Sequence, residues 1–330
     1  MKKIKMLTTG GTIASKEGKK GLAPAMGPGG LLHYAEELTR RFSVDAEDLF
    51  SMDSSNIQPE QWQAIARRAF DALNSCDGVI VTHGTDTMAY TAAALSFMLQ
   101  GLEKPVVLTG SQIPIDDPLS DARTNLCTAA EAVEAGMAGV IVAFDRRLMN
   151  GARTVKTSTM DFDAFHSVNA AEMARICADG IRVFSRTTAR EERPLNLLDS
   201  ICTDVFLLKL IPGTRPEIFD ALMDIGYKGI VIEAFGAGGM HYLGRDLLGK
   251  VRRLCDAGVT VAVCSQCLYE RSDLHLYEVG RRILEAGAVS AMDMTTEAAV
   301  TKLMWALGQT GDPARAVALF EKNLVGELAG

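Results

Sequence analysis

Two short runs of threonine and glycine are the residues best placed to do chemistry. Thr9–Ala14 (TGGTIA) and His83–Thr87 (HGTDT) each follow an apolar, β-branched segment directly. Paired glycines let backbone amides approach a ligand closely, and a hydroxyl beside exposed amides suits acyl transfer, in which an oxyanion needs nearby donors. The first run therefore predicts either Thr12 as a nucleophile, with Gly11 beside the ligand, or a tight turn in which Thr12 caps a helix.

The second run places a hydroxyl and a carboxylate side by side. Thr85 can activate or position a water, and Asp86 can bind a substrate ammonium or hold a lysine. Either residue is also a good N-cap for the helical pattern that begins at Met88. His83 is predicted to be a packed, hydrogen-bonded loop residue rather than a catalyst.

A lysine and a polar cluster add to these runs. Lys156 lies in a weakly charged segment, and a lysine buried near a hydroxyl loses its proton more readily and can act as a base. The alternative is a solvated or salt-bridged surface lysine. Asp53–Asn56 (DSSN) can recognise the polar ends of an amino acid, or can form a capping turn before Pro59.

The elements that must position these residues form an α/β pattern. Apolar, β-branched runs predict strands, and their continuity suits strands buried on both faces of a parallel sheet. The predicted strands are Ile4–Thr8, Val79–Thr82, Val106–Thr109, Val140–Phe144, Val205–Leu210, Ile230–Ala234, Val259–Cys264 and Ala288–Met292. Between them, amphipathic helices are predicted over Pro59–Leu73 and Tyr90–Leu102, and a helix with Asp121 as its N-cap is predicted over Asp121–Ala135. Strand and helix alternate, which is typical of α/β folds.

Ligands of open parallel sheets bind outside the carboxyl ends of the strands. That rule directs attention to the two threonine runs, to Gly110–Gln112 and to the loop after Phe144. All four lie in the first part of the chain. The charged segment Ser185–Asp199 breaks the strand–helix rhythm and is the candidate linker. The prediction is a larger N-terminal catalytic domain (1–190) with a mainly parallel sheet flanked by helices, a linker (191–204) and a smaller C-terminal α/β domain with a parallel sheet (205–330).

Composition excludes several classes of protein. The 330 residues carry 34 Lys and Arg against 41 Asp and Glu, a net charge of −7, which weighs against non-specific nucleic-acid binding. The chain has no apolar run long enough to cross a membrane, and the one near the N-terminus stops at Leu7, too early for a signal peptide. Seven cysteines, an odd number, indicate reduced thiols and a cytoplasmic location.

Metal and nucleotide motifs are weak throughout the sequence. The five histidines show no metal-ligand spacing, and no phosphate loop or nucleophile elbow is present. Cys264 and Cys267 have CxxC spacing without a second pair, so ordinary burial is the favoured interpretation. The sequence therefore predicts neither a metal nor an organic cofactor.

Taken together in this order, the motifs resemble those of the bacterial and archaeal L-asparaginase family, including its glutaminase-asparaginase members. The similarity covers essentially the whole chain and is closest to the cytoplasmic type I branch. The matching segments are Thr9–Ala14, Asp53–Ser55, His83–Thr87, Gly110–Ser111, Lys156, Phe162–Phe165, Met294–Glu297 and Lys302–Trp305.

This resemblance implies an amidohydrolase that converts L-asparagine and water to L-aspartate and ammonia without a metal or cofactor. It implies that Thr12 attacks the side-chain amide to form a β-acyl-enzyme. Thr85, Asp86 and Lys156 would then support proton transfer and position the hydrolytic water. The substrate-binding residues it implies are Gly11, Asp53, Ser54, Ser55, Thr85, Asp86 and Ser111.

The chain departs from the family at one place. Many members carry a tyrosine in the mobile loop after the first strand, whereas this sequence has Leu22, which has no hydroxyl. Leu22 is retained as a residue of a predicted lid, Ser15–Gly30. The resemblance also implies a homo-oligomer, a dimer or a dimer of dimers. Gly236–Met240 and Tyr269–Asp273 are the candidate segments that complete the site of a neighbouring copy.

Three other functions are alternatives to that of an asparaginase. A broader amidase would also accept L-glutamine or D-asparagine, because one methylene changes binding by only about 1–3 kcal/mol. A non-catalytic amino-acid sensor would bind asparagine or aspartate without turnover, although both threonines, Asp86 and Lys156 are retained. A tRNA-dependent amidotransferase is expected to have a further N-terminal domain, and here Met1 leads directly into the first strand.

Overall fold

A computed structural model describes residues 1–18, 21–24, 26–188 and 194–329. The chain divides into two units: Met1–Asp199 with Leu324–Gly326, and Ser200–Asn323 with Glu327–Gly330. Residues 194–199 of the predicted linker thus belong to the first unit, and 200–204 belong to the second. The last residues of the chain fall in both units, Leu324–Gly326 in the first and Glu327–Gly330 in the second. The predicted division at a single linker does not include this return of the chain.

The first unit contains a large mixed sheet and three small two-stranded sheets. Its strands are β1 (Lys3–Gly10), β2 (Ser15–Gly18), β3 (Gly21–Pro24), β4 (Ser43–Met52), β5 (Gly78–Thr82), β6 (Leu99–Gln100), β7 (Pro105–Thr109), β8 (Gly139–Phe144), β9 (Arg147–Asn150), β10 (Thr154–Lys156), β11 (Phe165–Ser167), β12 (Ala174–Cys177), β13 (Gly180–Val183) and β14 (Asn196–Leu197). Its helices are α1 (Pro28–Tyr34), α2 (Glu36–Arg41), α3 (Pro59–Ala72), α4 (Met88–Met98) and α5 (Ala122–Glu134).

The large sheet has the strand order β13-β12-β9-β8-β7-β5-β1-β4. Neighbours from β4 to β8 are parallel, and those from β8 to β13 are antiparallel. Every residue of β5, β7 and β8 is buried, as their continuous apolar runs predict. The mainly parallel sheet flanked by helices is confirmed.

The second unit is built on a four-stranded parallel sheet, which is also confirmed. Its strands, in spatial as well as chain order, are β15 (Val205–Lys209), β16 (Gly229–Ala234), β17 (Thr260–Ser265) and β18 (Val289–Ser290). Its helices are α6 (Glu217–Ile225), α7 (Leu247–Asp256), α8 (Glu278–Glu285), α9 (Thr296–Gln309) and α10 (Pro313–Glu321). A core of aliphatic and aromatic side chains lies between the sheet and helices α6, α7 and α8.

Several predicted elements were wrong in detail. The helix expected over Tyr90–Leu102 ends at Met98, because Leu99 and Gln100 form β6 and pair with β14 inside the predicted linker. That helix, α4, is not amphipathic either. It packs against α3 and β8 and is buried on nearly every side, so its alanines fill narrow spaces in the core.

Two other predictions hold only in part, for local reasons. Asp121 occupies the N-cap position of α5, but its carboxylate makes no capping bond. It accepts instead from the backbone N–H groups of Gln112 and Ile113. The strand expected over Ala288–Met292 is limited to β18, and Met292 leaves it with φ of 53°.

An ion pair buried in the second unit predicts a large stability effect. Lys302 Nζ of α9 lies 2.5 Å from Glu327 Oε1, and both side chains are inaccessible to solvent. Replacing Glu327 with glutamine is expected to destabilise the protein by about 3–5 kcal/mol, because it removes one charge of a fully buried ion pair. Urea unfolding measures this, with Glu321→Gln, an exposed position, as the control. A loss below about 1 kcal/mol would contradict the prediction.

Candidate functional site

The loops that follow β1 and β5 are pressed together at the carboxyl end of the large sheet. The two strands are parallel neighbours, so their following loops begin side by side. A Cβ added at Gly11 would lie 2.4 Å from Gly84 Cα, and one added at Gly84 would lie 2.6 Å from Ser54 Oγ. Only glycine fits at both contacts. The residues that follow these glycines, Thr12 and Thr85, are thereby brought into one site with Ser54.

Thr12 begins a short 3-10 turn, Thr12–Ala14, and is half-buried. Gly11, with φ of 77°, is the N-cap of this turn, and no side chain caps it. The tight-turn interpretation is therefore correct, but Thr12 is not a capping residue. Its hydroxyl makes no hydrogen bond to any residue that the structure describes. A threonine hydroxyl left free beside a glycine with this backbone geometry is available to a ligand.

Lys156 joins Thr85 and Asp86 into one hydrogen-bonded group. It ends β10, and its Nζ donates to Thr85 Oγ1 at 2.8 Å and to Asp86 Oδ1 at 2.7 Å. The lysine side chain is 15% exposed, whereas that of Asp86 is 66% exposed. Asp86 thus holds a lysine, one of its two predicted roles. Thr87, rather than Thr85 or Asp86, is the N-cap of α4.

Gln112 was not among the predicted site residues, although its loop, Gly110–Gln112, was predicted to lie near the ligand. The Thr85 hydroxyl donates to Gln112 Oε1 at 3.4 Å. Gln112 Nε2 donates to the carbonyl oxygens of Thr159 and Asp161 at 3.1 and 2.8 Å. The signal that could have found it is its position just after the strand β7, where ligands of parallel sheets bind.

The neighbouring serine has its hydroxyl engaged within the same loop. Ser111 is fully buried, and its Oγ donates to Ile113 O at 2.6 Å. The hydroxyl of Ser111 is therefore already engaged within its own loop. The loop is further held by Asn125, whose Nδ2 donates to Gly110 O and to Asp121 Oδ2.

The DSSN cluster forms a 3-10 turn, Ser54–Asn56, with Asp53 as its N-cap. The Asp53 carboxylate accepts from the backbone N–H and the hydroxyl of Ser55, and these bonds lower the pKa of Asp53. Ser54 is buried, and its carbonyl oxygen accepts from Thr87 Oγ1 at 2.7 Å. The capping turn and the polar cluster are therefore the same structure, which lies directly against Gly84.

His83 is a packed residue, as expected from the sequence. Its Nδ1 lies 2.7 Å from Gly84 O, and its Nε2 lies 2.9 Å from Thr91 Oγ1. Because a carbonyl only accepts, Nδ1 is assigned the hydrogen and Nε2 accepts from Thr91. Complete burial lowers the pKa of His83 to about 4 from its ordinary value of 6.5, and the bond to Gly84 opposes this shift.

The lowered pKa of His83 predicts that the folded protein loses stability in acid. The unfolded chain binds the proton at a higher pH than the folded one, so the stabilisation is complete above pH 6.5 and is lost as pH falls through about 4. The loss attributable to His83 is expected to reach about 3 kcal/mol. Urea unfolding at pH 7 and pH 4 of the wild type and His83→Gln measures it. The same pH dependence in both proteins would contradict the prediction.

The remaining predicted residues fall outside this group. The backbone of Leu22 pairs with Glu17 in the β2–β3 hairpin, but its side chain lies outside the described part of the structure. Gly236–Met240 and Tyr269–Asp273 belong to the second unit. Cys264 is buried, as expected, and Cys267 is exposed.

The described residues contain no group of three or more His, Cys, Asp or Glu side chains that could hold a metal ion. Within the same residues, no helix combines the length and apolar character needed to cross a membrane.

Comparisons with known proteins find relatives over the whole chain. The family described as "Asparaginase, N-terminal" matches residues 3–189, and "Glutaminase/Asparaginase C-terminal domain" matches residues 204–320. An L-asparaginase of Thermococcus kodakarensis is 41% identical over 331 residues, 99% of each chain. One chain of the glutamyl-tRNA(Gln) amidotransferase of Pyrococcus furiosus is 40% identical over 98% of this chain and 76% of that protein.

Solved structures show the same likeness over the whole chain. The thermostable L-asparaginase from Thermococcus kodakarensis superposes with a TM-score of 0.93 at 40% identity, covering 99% of both chains. The probable cytoplasmic L-asparaginase from Campylobacter jejuni gives a TM-score of 0.84 at 28% identity, covering 98% of this chain and 100% of that one. Both units of the chain are thus matched in sequence and in fold, and the chain belongs to the asparaginase family.

Proposed function

We propose that this protein hydrolyses L-asparagine to L-aspartate and ammonia, through an acyl-enzyme formed on a threonine. The observation that carries this proposal is the contact of Lys156 Nζ with both Thr85 and Asp86, in a loop packed directly against the glycine that precedes Thr12. The resemblance to proteins named L-asparaginase supports the choice of substrate.

In the first step, Thr12 is the nucleophile. Its hydroxyl oxygen attacks the side-chain amide carbon, the C–N bond breaks, and the amide nitrogen leaves as ammonia with the hydroxyl proton. The backbone N–H of Gly11, whose φ is positive, donates to Met52 O at 3.0 Å, so the N–H groups that follow Gly11 are proposed to stabilise the oxyanion that develops on the amide oxygen.

In the second step, a water hydrolyses the ester on Thr12. Water passes a proton to Thr85 Oγ1 while Thr85 passes its own proton to neutral Lys156. The hydroxide so formed adds to the acyl carbon and the ester C–O bond breaks. The Thr12 oxygen takes the proton of the new carboxylic acid, so L-aspartate leaves as its carboxylate, and Lys156 gives its proton to solvent before the next hydrolysis. Asp86 stabilises the ammonium that forms on Lys156, because it lies within 2.7 Å of Nζ.

The polar ends of the substrate require charged and hydrogen-bonding partners. Ser54, with Asp53 and Ser55, is proposed to hold the α-carboxylate and α-ammonium together with Asp86. The backbone of Ser111 is proposed to contact the carboxamide. Leu22 is proposed as a lid residue without an acid–base role, because its side chain carries no ionisable group.

A homo-oligomer and a cytoplasmic location complete the proposal. Exposed apolar side chains follow each strand of the smaller sheet, a pattern that favours burial against another protein surface. They are Ile211, Leu243, Tyr269 and Met292. Seven free cysteines and a similar protein described as probably cytoplasmic favour a reducing compartment. The net charge of −7 disfavours nucleic-acid partners.

The test is ammonia release by the purified protein from L-asparagine, with L-glutamine and D-asparagine in parallel. Turnover of L-asparagine alone supports an asparaginase, and comparable turnover of L-glutamine supports the broader amidase. Binding of asparagine without ammonia release would overturn the enzyme proposal and favour the sensor.

A second candidate comes from the match to a chain of a glutamyl-tRNA(Gln) amidotransferase. An amidotransferase passes ammonia to a coupled acceptor, so its activity toward a free amino acid should depend on tRNA and a partner. Ammonia release from free L-asparagine that is unchanged by added tRNA would exclude this alternative.

A further inference from the structure

Gln112 contacts the same Thr85 hydroxyl as Lys156. Its amide orientation follows from its partners. Both Nε2 hydrogens are used by the carbonyl oxygens of Thr159 and Asp161, and carbonyl oxygens cannot donate. Oε1 is therefore the atom that faces Thr85, and it can only accept.

This orientation determines where the Thr85 hydrogen lies. A charged Lys156 has three N–H donors and no acceptor, so Thr85 Oγ1 accepts from Nζ at 2.8 Å and directs its own hydrogen to Gln112 Oε1. A neutral lysine has a lone pair, and the same hydroxyl can then turn to donate to Nζ. At 3.4 Å the hydrogen bond to Gln112 is long and therefore weak. Rotating the Thr85 hydroxyl toward Nζ therefore requires little energy.

We propose that Gln112 is a positioning residue that holds the Thr85 hydroxyl hydrogen away from Lys156 in the resting enzyme and releases it to Nζ once the lysine is neutral. This inference rests on the proposed function, because the proton moves during hydrolysis of the acyl-enzyme. Water supplies the proton that replaces the one Thr85 gives to Lys156, so Thr85 ends as a hydroxyl and Lys156 as an ammonium.

The backbone around Gln112 is built to keep this contact. Gln112 N donates to Asp121 Oδ1 at 3.0 Å, and Asp121 also accepts from Asn125 Nδ2. The side chain of Gln112 in turn holds the loop that follows Lys156, through Thr159 and Asp161. Gln112 thus connects the loop after β7 to the loop after β10, and Thr85 lies within reach of both.

Two substitutions should move the pH profile of kcat/KM for L-asparagine in opposite directions. Gln112→Met removes the acceptor that holds the Thr85 hydrogen, so the acidic limb of the profile should move to lower pH by about half a unit. Gln112→Glu places a carboxylate within about 6 Å of Nζ, and its negative charge should move that limb to higher pH by about one unit. Because the bond to Gln112 is weak, kcat should fall less than about tenfold in both variants, with KM changed less than about threefold.

Gln309→Met is the matched control. Gln309 Nε2 also donates to two backbone carbonyl oxygens, those of Ser200 and Trp305, but it lies in the second unit. The Gln309→Met variant should keep the wild-type pH profile and kcat. Its melting temperature shows how much the loss of two such hydrogen bonds lowers the stability of the protein.

The outcomes separate this inference from the proposed function. A wild type that releases no ammonia overturns both. An active wild type overturns the role of Gln112 alone if both variants keep the wild-type apparent pKa within about 0.3 units or shift it in the same direction. Opposite shifts support the inference, since a merely structural role would lower kcat without moving the profile.

Discussion

Replacing Thr12 with alanine is expected to lower kcat for L-asparagine at least about 10⁴-fold, with little change in substrate affinity. In the proposed mechanism the oxygen of Thr12 forms the acyl bond, and alanine offers no atom to replace it. The remaining backbone donors beside Gly11 would still bind the substrate. Ammonia release measures kcat, and calorimetric titration with L-asparagine measures affinity.

Thr12→Ser is the matched variant, because it keeps the hydroxyl and removes only a methyl group. We expect it to keep most of the activity. Thr12→Val keeps the shape and removes the hydroxyl, so it should resemble Thr12→Ala. Activity of Thr12→Val within about tenfold of the wild type would show that another group is the nucleophile.

Replacing Lys156 with methionine is expected to lower kcat by about 10²–10⁴-fold. The substitution removes the group that accepts the Thr85 proton and leaves Asp86 without its partner at 2.7 Å. Asp86 is mostly exposed, so the loss of that ion pair should have little effect on stability. Steady-state kinetics and thermal unfolding of the same preparation separate the two effects.

Lys156→Arg tests what the lysine contributes. Arginine keeps a positive charge beside Asp86 but does not lose its proton in proteins. It should therefore be nearly as inactive as the methionine variant. Lys104→Met is the control, since Lys104 is a half-buried lysine of the same unit that donates only to the carbonyl oxygens of Leu73 and Cys76. Activity in Lys156→Arg close to that of the wild type would show that charge alone is needed.

Local sequence patterns determined the strands, because burial on both faces requires continuous apolar residues. The runs over Val79–Thr82 and Val140–Phe144 could be read directly, and each lies within a buried strand. Patterns were less informative for α4, whose surroundings bury it on nearly every side. Its end was set by pairing with Asn196 and Leu197, about a hundred residues away, which no local window contains.

The sequence also determined the residue types at the candidate site. Thr12, Thr85, Asp86 and Lys156 could each be named from their neighbours and from strand ends. Each also had an ordinary structural interpretation, and the sequence left those alternatives open. Hydrogen bonds decide between such alternatives, and they depend on distances between residues far apart in the chain.

Only the tertiary structure decided which partners these residues have. In the structure, Lys156 donates to Asp86, the Ser111 hydroxyl donates within its own loop, and the Thr85 hydroxyl donates to Gln112. These contacts arise because parallel strands bring their carboxyl ends to one edge of the sheet, and because Gly11 and Gly84 leave no space between two loops. Strand order and close packing involve the whole unit, so a reading of neighbouring residues cannot supply them.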